Sequence, residues 1–218
     1  MVDLIRGLSA DRMRGNLERV RAEIADAGGE PGEVEVLAAV KYVGADDLGI
    51  LAEGGIELVG ENRAQDLAVK TAAAEGLFTW DFIGHLQSRK VRQVLPHVRY
   101  IHSVGSDSVL DQLARHATPD TEVLVEVNVA GESGKSGIDP VQLPAFLERC
   151  PVSVVGLMTM PPLARSPEQS RPHFAALREL AGRHRLKHLS MGTSQDYLVA
   201  VQEGATIIRL GTTLFGAP

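Results

Sequence analysis

Eight short apolar runs alternating with helical patterns constrain this chain more than any other feature of its sequence. The runs cover residues 34–40, 57–59, 80–83, 99–102, 122–128, 152–158, 187–190 and 206–210. Helical spacing of apolar residues fills the intervals at 46–53, 63–74, 87–95, 106–116, 140–149, 167–183 and 194–203. One more helix precedes the first strand. Ser9 is a suitable N-cap, Met13, Leu17, Val20 and Ile24 share a face, and Gly28-Gly29 ends it. Alternation of this kind implies parallel strands joined by crossover helices. A (β/α)8 TIM barrel, about 250 residues as a rule and about 200 at the low end, accounts for the strand count and the length. The chain has 218 residues, so the expectation is a single domain over 1–218 with an N-terminal helix. An open doubly wound sheet is the structural alternative.

Hydrophobic residues make up 44% of the chain, enough for a substantial core. The net charge is −6, and the basic residues of Ser88-Arg-Lys-Val-Arg92 are too few to favour nucleic acid as a partner. A lone cysteine, Cys150, excludes a disulfide within the chain and suits a reducing compartment. Met1-Val-Asp-Leu-Ile-Arg6 lacks the apolar core of a signal peptide, and no apolar stretch is long enough to span a bilayer. The expectation is a soluble cytoplasmic protein with no membrane partner.

In such a barrel the carboxyl ends of the strands form the functional face. In order, those ends deliver Lys41, Glu61-Asn62-Arg63, Gly84-His85-Leu86-Gln87, His102-Ser103, Asn128, Met158-Thr-Met160, Ser190-Met-Gly-Thr-Ser194 and Arg209-Leu-Gly-Thr-Thr213. Lys41 follows the apolar run that begins at Val34. Taken alone it reads as a lysine snorkelling to solvent. With partial desolvation its neutral amine becomes available to condense with an aldehyde. The segments after strands seven and eight are small and hydroxyl-rich. They read as a phosphate cradle, where backbone N–H groups and helix N-termini face an anion, or as ordinary capping. Arg209 either pairs with a carboxylate or faces a ring nitrogen of a ligand, where its fixed charge disfavours protonation. His85 and His102 are proton-carrier candidates, although a structural hydrogen bond is the commoner fate of such a histidine.

Ala130-Gly-Glu-Ser-Gly-Lys-Ser136 imitates a Walker A loop. The pattern needs a glycine five residues before Gly134, and that position is Val129. No strand ending in Asp follows to complete an NTPase site. The segment reads as a loop whose Lys135 can reach an anion.

Several segments together resemble a known family, the pyridoxal phosphate homeostasis proteins of the YggS/PROSC type. They are Ala39-Val-Lys41, Gly60-Glu-Asn62, Trp80-Asp-Phe-Ile-Gly-His-Leu-Gln-Ser-Arg-Lys90, Asn128 with Lys135-Ser-Gly-Ile138, Gly156-Leu-Met158, Leu189-Ser-Met-Gly192 and Ile208-Arg-Leu-Gly-Thr212 with Phe215-Gly216. The resemblance implies a barrel similar to the N-terminal domain of alanine racemase. It implies that Lys41 holds pyridoxal 5′-phosphate (PLP) as a Schiff base. Ser190, Met191, Gly192, Thr193, Gly211 and Thr212 would surround the phosphate, Arg209 would face the pyridine nitrogen, and Asn62 would lie near the ring. It also implies a monomer. The chain departs from the family at Asp81, where His is usual, at Arg89, where Asn is common, and at Tyr42, where Thr is common; Thr193 stands at a variable position.

Two functions remain open at this point. One is a PLP-binding protein that stores, shields or delivers the cofactor to apo-enzymes without turnover. The other is a PLP enzyme, an amino-acid racemase. A cation at the ring nitrogen weakens the electron sink that PLP catalysis uses. A racemase also needs an acid/base group on each face of its substrate, and in alanine racemase one comes from a second domain and the dimer partner, for which 218 residues leave no room. The expectation is therefore the non-catalytic role. A third reading, a Schiff-base aldolase acting on a phosphosugar, shares Lys41 and the phosphate cradle and rests on fold logic alone.

Overall fold

The eight expected strands close into one parallel barrel in chain order, and this closure excludes the open sheet. The structure, a computed structural model, describes residues 4–30 and 32–216. The strands are β1 (Glu35–Ala39), β2 (Leu58–Glu61), β3 (Thr79–Phe82), β4 (Tyr100–Val104), β5 (Glu122–Glu126), β6 (Ser153–Met158), β7 (His188–Thr193) and β8 (Ile207–Leu210). β1 pairs with β8 from Glu35↔Ile207 to Ala38↔Leu210, which seals the cylinder. Around it lie α1 (Ala10–Asp26), α2 (Leu48–Glu53), α3 (Ala64–Ala73), α4 (Val91–Val94), α5 (Asp107–His116), α6 (Leu143–Arg149), α7 (Arg171–His184), α8 (Tyr197–Gln202) and α9 (Thr212–Phe215). No described helix is long and apolar enough to cross a membrane.

The helices expected at 46–53 and 167–183 each open as a 3-10 turn before Leu48 and Arg171, and three more depart from expectation for local reasons. The helix expected at 87–95 is broken into a 3-10 turn (Ser88–Lys90), α4 and a second 3-10 turn (Leu95–His97). Pro96 offers no N–H to continue the α-helical ladder there. The helix expected from Pro140 begins only at Leu143, because Asp139 instead builds a turn: its carboxylate accepts from the Val141 N–H at 2.8 Å and its carbonyl from the Gln142 N–H at 2.9 Å. The helix expected from Ser194 begins at Tyr197, since β7 continues to Thr193 and Asp196 Oδ1 accepts the Thr193 N–H at 2.8 Å.

Alternation along the strands separates two buried layers. Outward residues such as Val59, Phe82, Ile101, Val123 and Ile208 pack with the helices, including the expected Met13, Leu17, Val20 and Ile24 stripe of α1. Leu37, Leu124, Met158 and Ile207 are equally buried but stand apart from that layer, inside the barrel. Leu37 is paired with Arg209, Ile207 with Ser190, Met158 with Glu126, and Gly60 with Asp81. Paired residues share a face, so a polar set occupies the interior beside the apolar one. Asn16 ties α1 to the far end of the chain, its Nδ2 donating to the Leu214 carbonyl at 3.0 Å and the Gly216 carbonyl at 3.3 Å.

Gly60 gives this interior its room. A Cβ there would stand 2.4 Å from Leu37 Cδ2 and 2.9 Å from Ile83 Cδ1. Gly60→Ala is expected to destabilise the fold by about 1–3 kcal/mol, the usual result of overpacking. Urea denaturation measures it, and an unchanged midpoint would mean that the interior has slack.

Candidate functional site

The carboxyl ends of the strands open onto a cavity of about 620 Å³. Six of the nine sequence-predicted binding residues line it: Lys41, Asn62, Thr193, Arg209, Gly211 and Thr212. The other three lie behind the wall. Met191 packs its side chain into the helix-facing layer, away from the cavity. Gly192 has φ +90°, and a Cβ there would stand 2.6 Å from Ala200 Cβ, so glycine lets α8 approach. Ser190 is fully buried beneath Arg209.

Lys41 sits on the turn that follows β1, half-buried, with Nζ 4.7 Å from the centroid of the Tyr42 ring. Its backbone is held by cations from the next βα unit. The Lys70 ammonium on α3 donates to the Val40 carbonyl at 2.6 Å and to Glu61 Oε2 at 2.5 Å, all within the core. Glu61 Oε1 accepts the N–H groups of Asn62 at 2.6 Å and Arg63 at 3.1 Å. Arg63 donates to the Lys41 carbonyl at 2.9 Å and pairs with Asp66 at 2.6 Å. A bidentate carboxylate and two fixed cations thus set the turn from which Lys41 projects.

Arg209 forms part of the wall on β8, the strand that neighbours β1. Its Nη1 donates to the Ser190 carbonyl at 2.7 Å and to Ser190 Oγ at 2.5 Å, and its Nη2 to the Thr159 carbonyl at 3.0 Å. Burial pulls its pKa down to about 10, against the opposing pull of Asp196 and Glu126, so it remains charged at neutral pH. Glu126 also lines the cavity and accepts from the Ser136 hydroxyl at 2.6 Å. Burial pushes its carboxyl above the usual range, more than Ser136, His85 and Arg209 lower it.

The third side is a ring of small groups. The N–H groups of Gly211 and Thr213 both reach Ser194 Oγ, each at 3.3 Å, the long end of a hydrogen bond. The Thr193 hydroxyl is engaged with Asp196 Oδ1 at 3.1 Å. Ser194, the last residue of the strand-seven segment read as a phosphate cradle, lines the cavity as expected. The buried Asn62 Oδ1 has no hydrogen-bond partner, an unusual condition for a polar atom in a wall.

Of the remaining candidates, His85 is exposed on the rim of the cavity, whereas His102 lies inside the barrel, out of contact with it. Lys135 lines the cavity from the loop after β5 and is ion-paired with Glu132. Asn128 organises that loop, its Nδ2 donating to the Glu132 carbonyl at 2.9 Å. Arg89 is exposed and bonds only to Gln87, at 3.0 Å. Among the described residues no cluster of three metal-ligating side chains occurs.

Residues 8–218 match the family model described as alanine racemase, N-terminal domain. The chain is 38% identical over 222 residues to a protein of Aquifex aeolicus named pyridoxal phosphate homeostasis protein, spanning 95% of this chain and 97% of that one. It is 36% identical to a protein of the same name from Pseudomonas aeruginosa, over 91% of each chain. Among solved structures it is similar to PipY of Synechococcus elongatus with PLP bound, with a TM-score of 0.80, 32% identity, and coverage of 94% of this chain and 100% of that one. Alanine racemase from Corynebacterium glutamicum shares the fold, with a TM-score of 0.74 at 16% identity over 100% of this chain and 64% of that one.

Proposed function

The chain belongs to the alanine racemase N-terminal domain family, among the pyridoxal phosphate homeostasis proteins, and we propose that it binds PLP through Lys41 and stores, shields or delivers it without substrate turnover. One observation carries the reading: an amine and a buried guanidinium face one cavity whose third side is a ring of N–H and hydroxyl groups. When bound, PLP supplies an aldehyde that a lysine amine can join and a pyridine ring that can accept electrons.

The residues present fit that group. The long bonds from Gly211 and Thr213 to Ser194 are ones that a phosphate oxygen can replace with shorter, charge-assisted bonds. With Thr212, Thr193 and the backbone behind them at Ser190, Met191 and Gly192, they would hold the phosphate. The orphaned Asn62 Oδ1 supports a place for Asn62 beside the ring, where a donor would satisfy it. Arg209 would orient the ring nitrogen and keep it unprotonated. In this reading the barrel with its N-terminal helix acts as one PLP-binding unit, a cytoplasmic monomer whose recipients are PLP-dependent apo-enzymes. The names of the curated relatives support homeostasis over catalysis. Steady-state racemisation of an amino acid by the PLP-loaded protein, lost in Lys41→Ala, would overturn the non-catalytic part.

Arg209→Gln removes the charge and keeps a hydrogen-bonding side chain. With PLP bound, the apparent pKa of the ring nitrogen is expected to rise by about 1–3, the effect of withdrawing a neighbouring like charge. Nitrogen NMR of ring-labelled PLP reads this directly, and an unchanged shift would remove Arg209 from that position.

A further inference from the structure

A file of polar side chains runs down the barrel interior beneath Arg209, where branched apolar residues usually fill the space. Arg209 Nη1 reaches Ser190 Oγ at 2.5 Å, Ser190 Oγ lies 2.8 Å from His102 Nδ1, and His102 Nε2 lies 3.1 Å from Asp81 Oδ2. Asp81 accepts from Arg99 Nη2 at 2.8 Å, from Arg99 Nε at 3.1 Å and from the Tyr100 N–H at 3.2 Å. Arg99 continues to Glu35 at 2.6 Å, at the amino-terminal rim of the barrel. Ser190, His102 and Asp81 are each 0% exposed.

Donor and acceptor inventories fix the direction of every bond in the file. A guanidinium only donates and a carboxylate only accepts, so Ser190 Oγ accepts from Arg209, His102 Nε2 donates to Asp81, and in the neutral imidazole Nδ1 accepts the Ser190 proton. Nδ1 therefore carries no proton, and the neutral imidazole places its N–H on Nε2, aimed at Asp81. Burial favours this neutral state, pulling the His102 pKa down more than the Asp81 hydrogen bond raises it. Burial pushes Asp81 the other way, but its bonds from His102 and Arg99 hold the carboxyl below its usual range. A proton on Nδ1 instead would leave Ser190 facing two donors, with no acceptor for its own hydroxyl.

We propose that Asp81 is a positioning residue for the cavity, fixing the His102 tautomer, through it the Ser190 hydroxyl, and through that the aim of the Arg209 guanidinium. The inference rests on the reading of Arg209 as the group facing the PLP ring nitrogen. Pairing with Arg99 alone would make Asp81 merely structural. The bond to His102 is what couples it to the cavity.

Asp81→Asn tests the coupling. Asn Oδ1 can keep the bonds from Arg99 Nε and the Tyr100 N–H, which turns Nδ2 toward His102 Nε2 and drives the imidazole proton to Nδ1. Nitrogen NMR of histidine-labelled, ligand-free protein is expected to show the Nε2–H tautomer of His102 in the wild type and Nδ1–H in the variant. PLP titrations should show affinity about tenfold weaker in Asp81→Asn and in Ser190→Ala, as expected when a hydrogen bond to a charged group is lost. The double variant should be no weaker than either single one, because both act through the same bond. An Nδ1–H tautomer in the wild type, unchanged affinities, or losses that add in the double variant would overturn the proposal. If Asp81→Asn does not fold, Ser190→Ala with wild-type affinity overturns it equally. A wild type with the Nε2–H tautomer that binds no PLP would instead overturn the PLP reading on which the proposal rests.

Discussion

Lys41→Ala is expected to abolish the borohydride-stable adduct with PLP while leaving weaker, reversible binding. Among the described residues Lys41 and Lys135 are the lysines that line the cavity, and Lys135 is ion-paired with Glu132 on the partly exposed loop after β5, whereas Lys41 carries no ion pair. Lys70 is near in sequence to the same strand ends but is sealed in the core against Glu61. On the proposed reading, removing the Lys41 amine would therefore remove the covalent anchor and nothing from the N–H and hydroxyl ring that would hold the phosphate. The adduct should fall from about one per chain to none, with affinity at least about tenfold weaker, a loss of at least about 1.4 kcal/mol. Mass spectrometry after reduction measures the first and absorbance titration the second. An adduct that persists at full yield would place the cofactor on another lysine.

Glu61→Ala should give the largest loss of stability. It strands the Lys70 ammonium in the core with only the Val40 carbonyl for company, and it frees the Asn62 and Arg63 N–H groups. Removing one partner of a buried ion pair typically costs about 3–5 kcal/mol. In a chain of this size that corresponds to a fall in Tm on the order of 6–20 °C. Replacing both partners with apolar residues, Glu61→Leu with Lys70→Met, should cost less than Glu61→Ala alone, since no charge is then left unpaired. Thermal denaturation followed by circular dichroism makes the comparison. A double variant as unstable as Glu61→Ala would show that the pair is needed for the turn itself and not only for its own neutralisation.

The architecture could be read from the sequence because its determinants are local. Strand and helix periods repeat often enough that an error of a few residues at each boundary did not alter the count of eight strands. The same rule that places strand carboxyl ends on one face gathered Lys41, Asn62, Arg209, Gly211 and Thr212 around one cavity. Where the reading failed, the cause was non-local or a matter of boundaries. The helix expected from Ser194 starts only at Tyr197, because β7 runs on to Thr193, while Ser194, part of the segment read as a phosphate cradle, does line the cavity. Met191 and Gly192 share a short segment with Thr193, but strand alternation and a positive φ turn them behind the wall. Lys70 looks like an ordinary helix-surface cation until its partner across the βα unit is known. Asp81 was visible only as a departure from the family pattern. Its meaning lies in partners 18 and 21 positions away, Arg99 and His102, a pairing that no local pattern encodes.

The most direct test of the account is borohydride reduction of the wild-type protein after loading with PLP, with visible absorption before reduction and peptide mapping afterwards. The account predicts a visible band that disappears on reduction and a single modified peptide carrying the adduct on Lys41. No band and no adduct, or an adduct mapped to Lys135 with Lys41 unmodified, would contradict it.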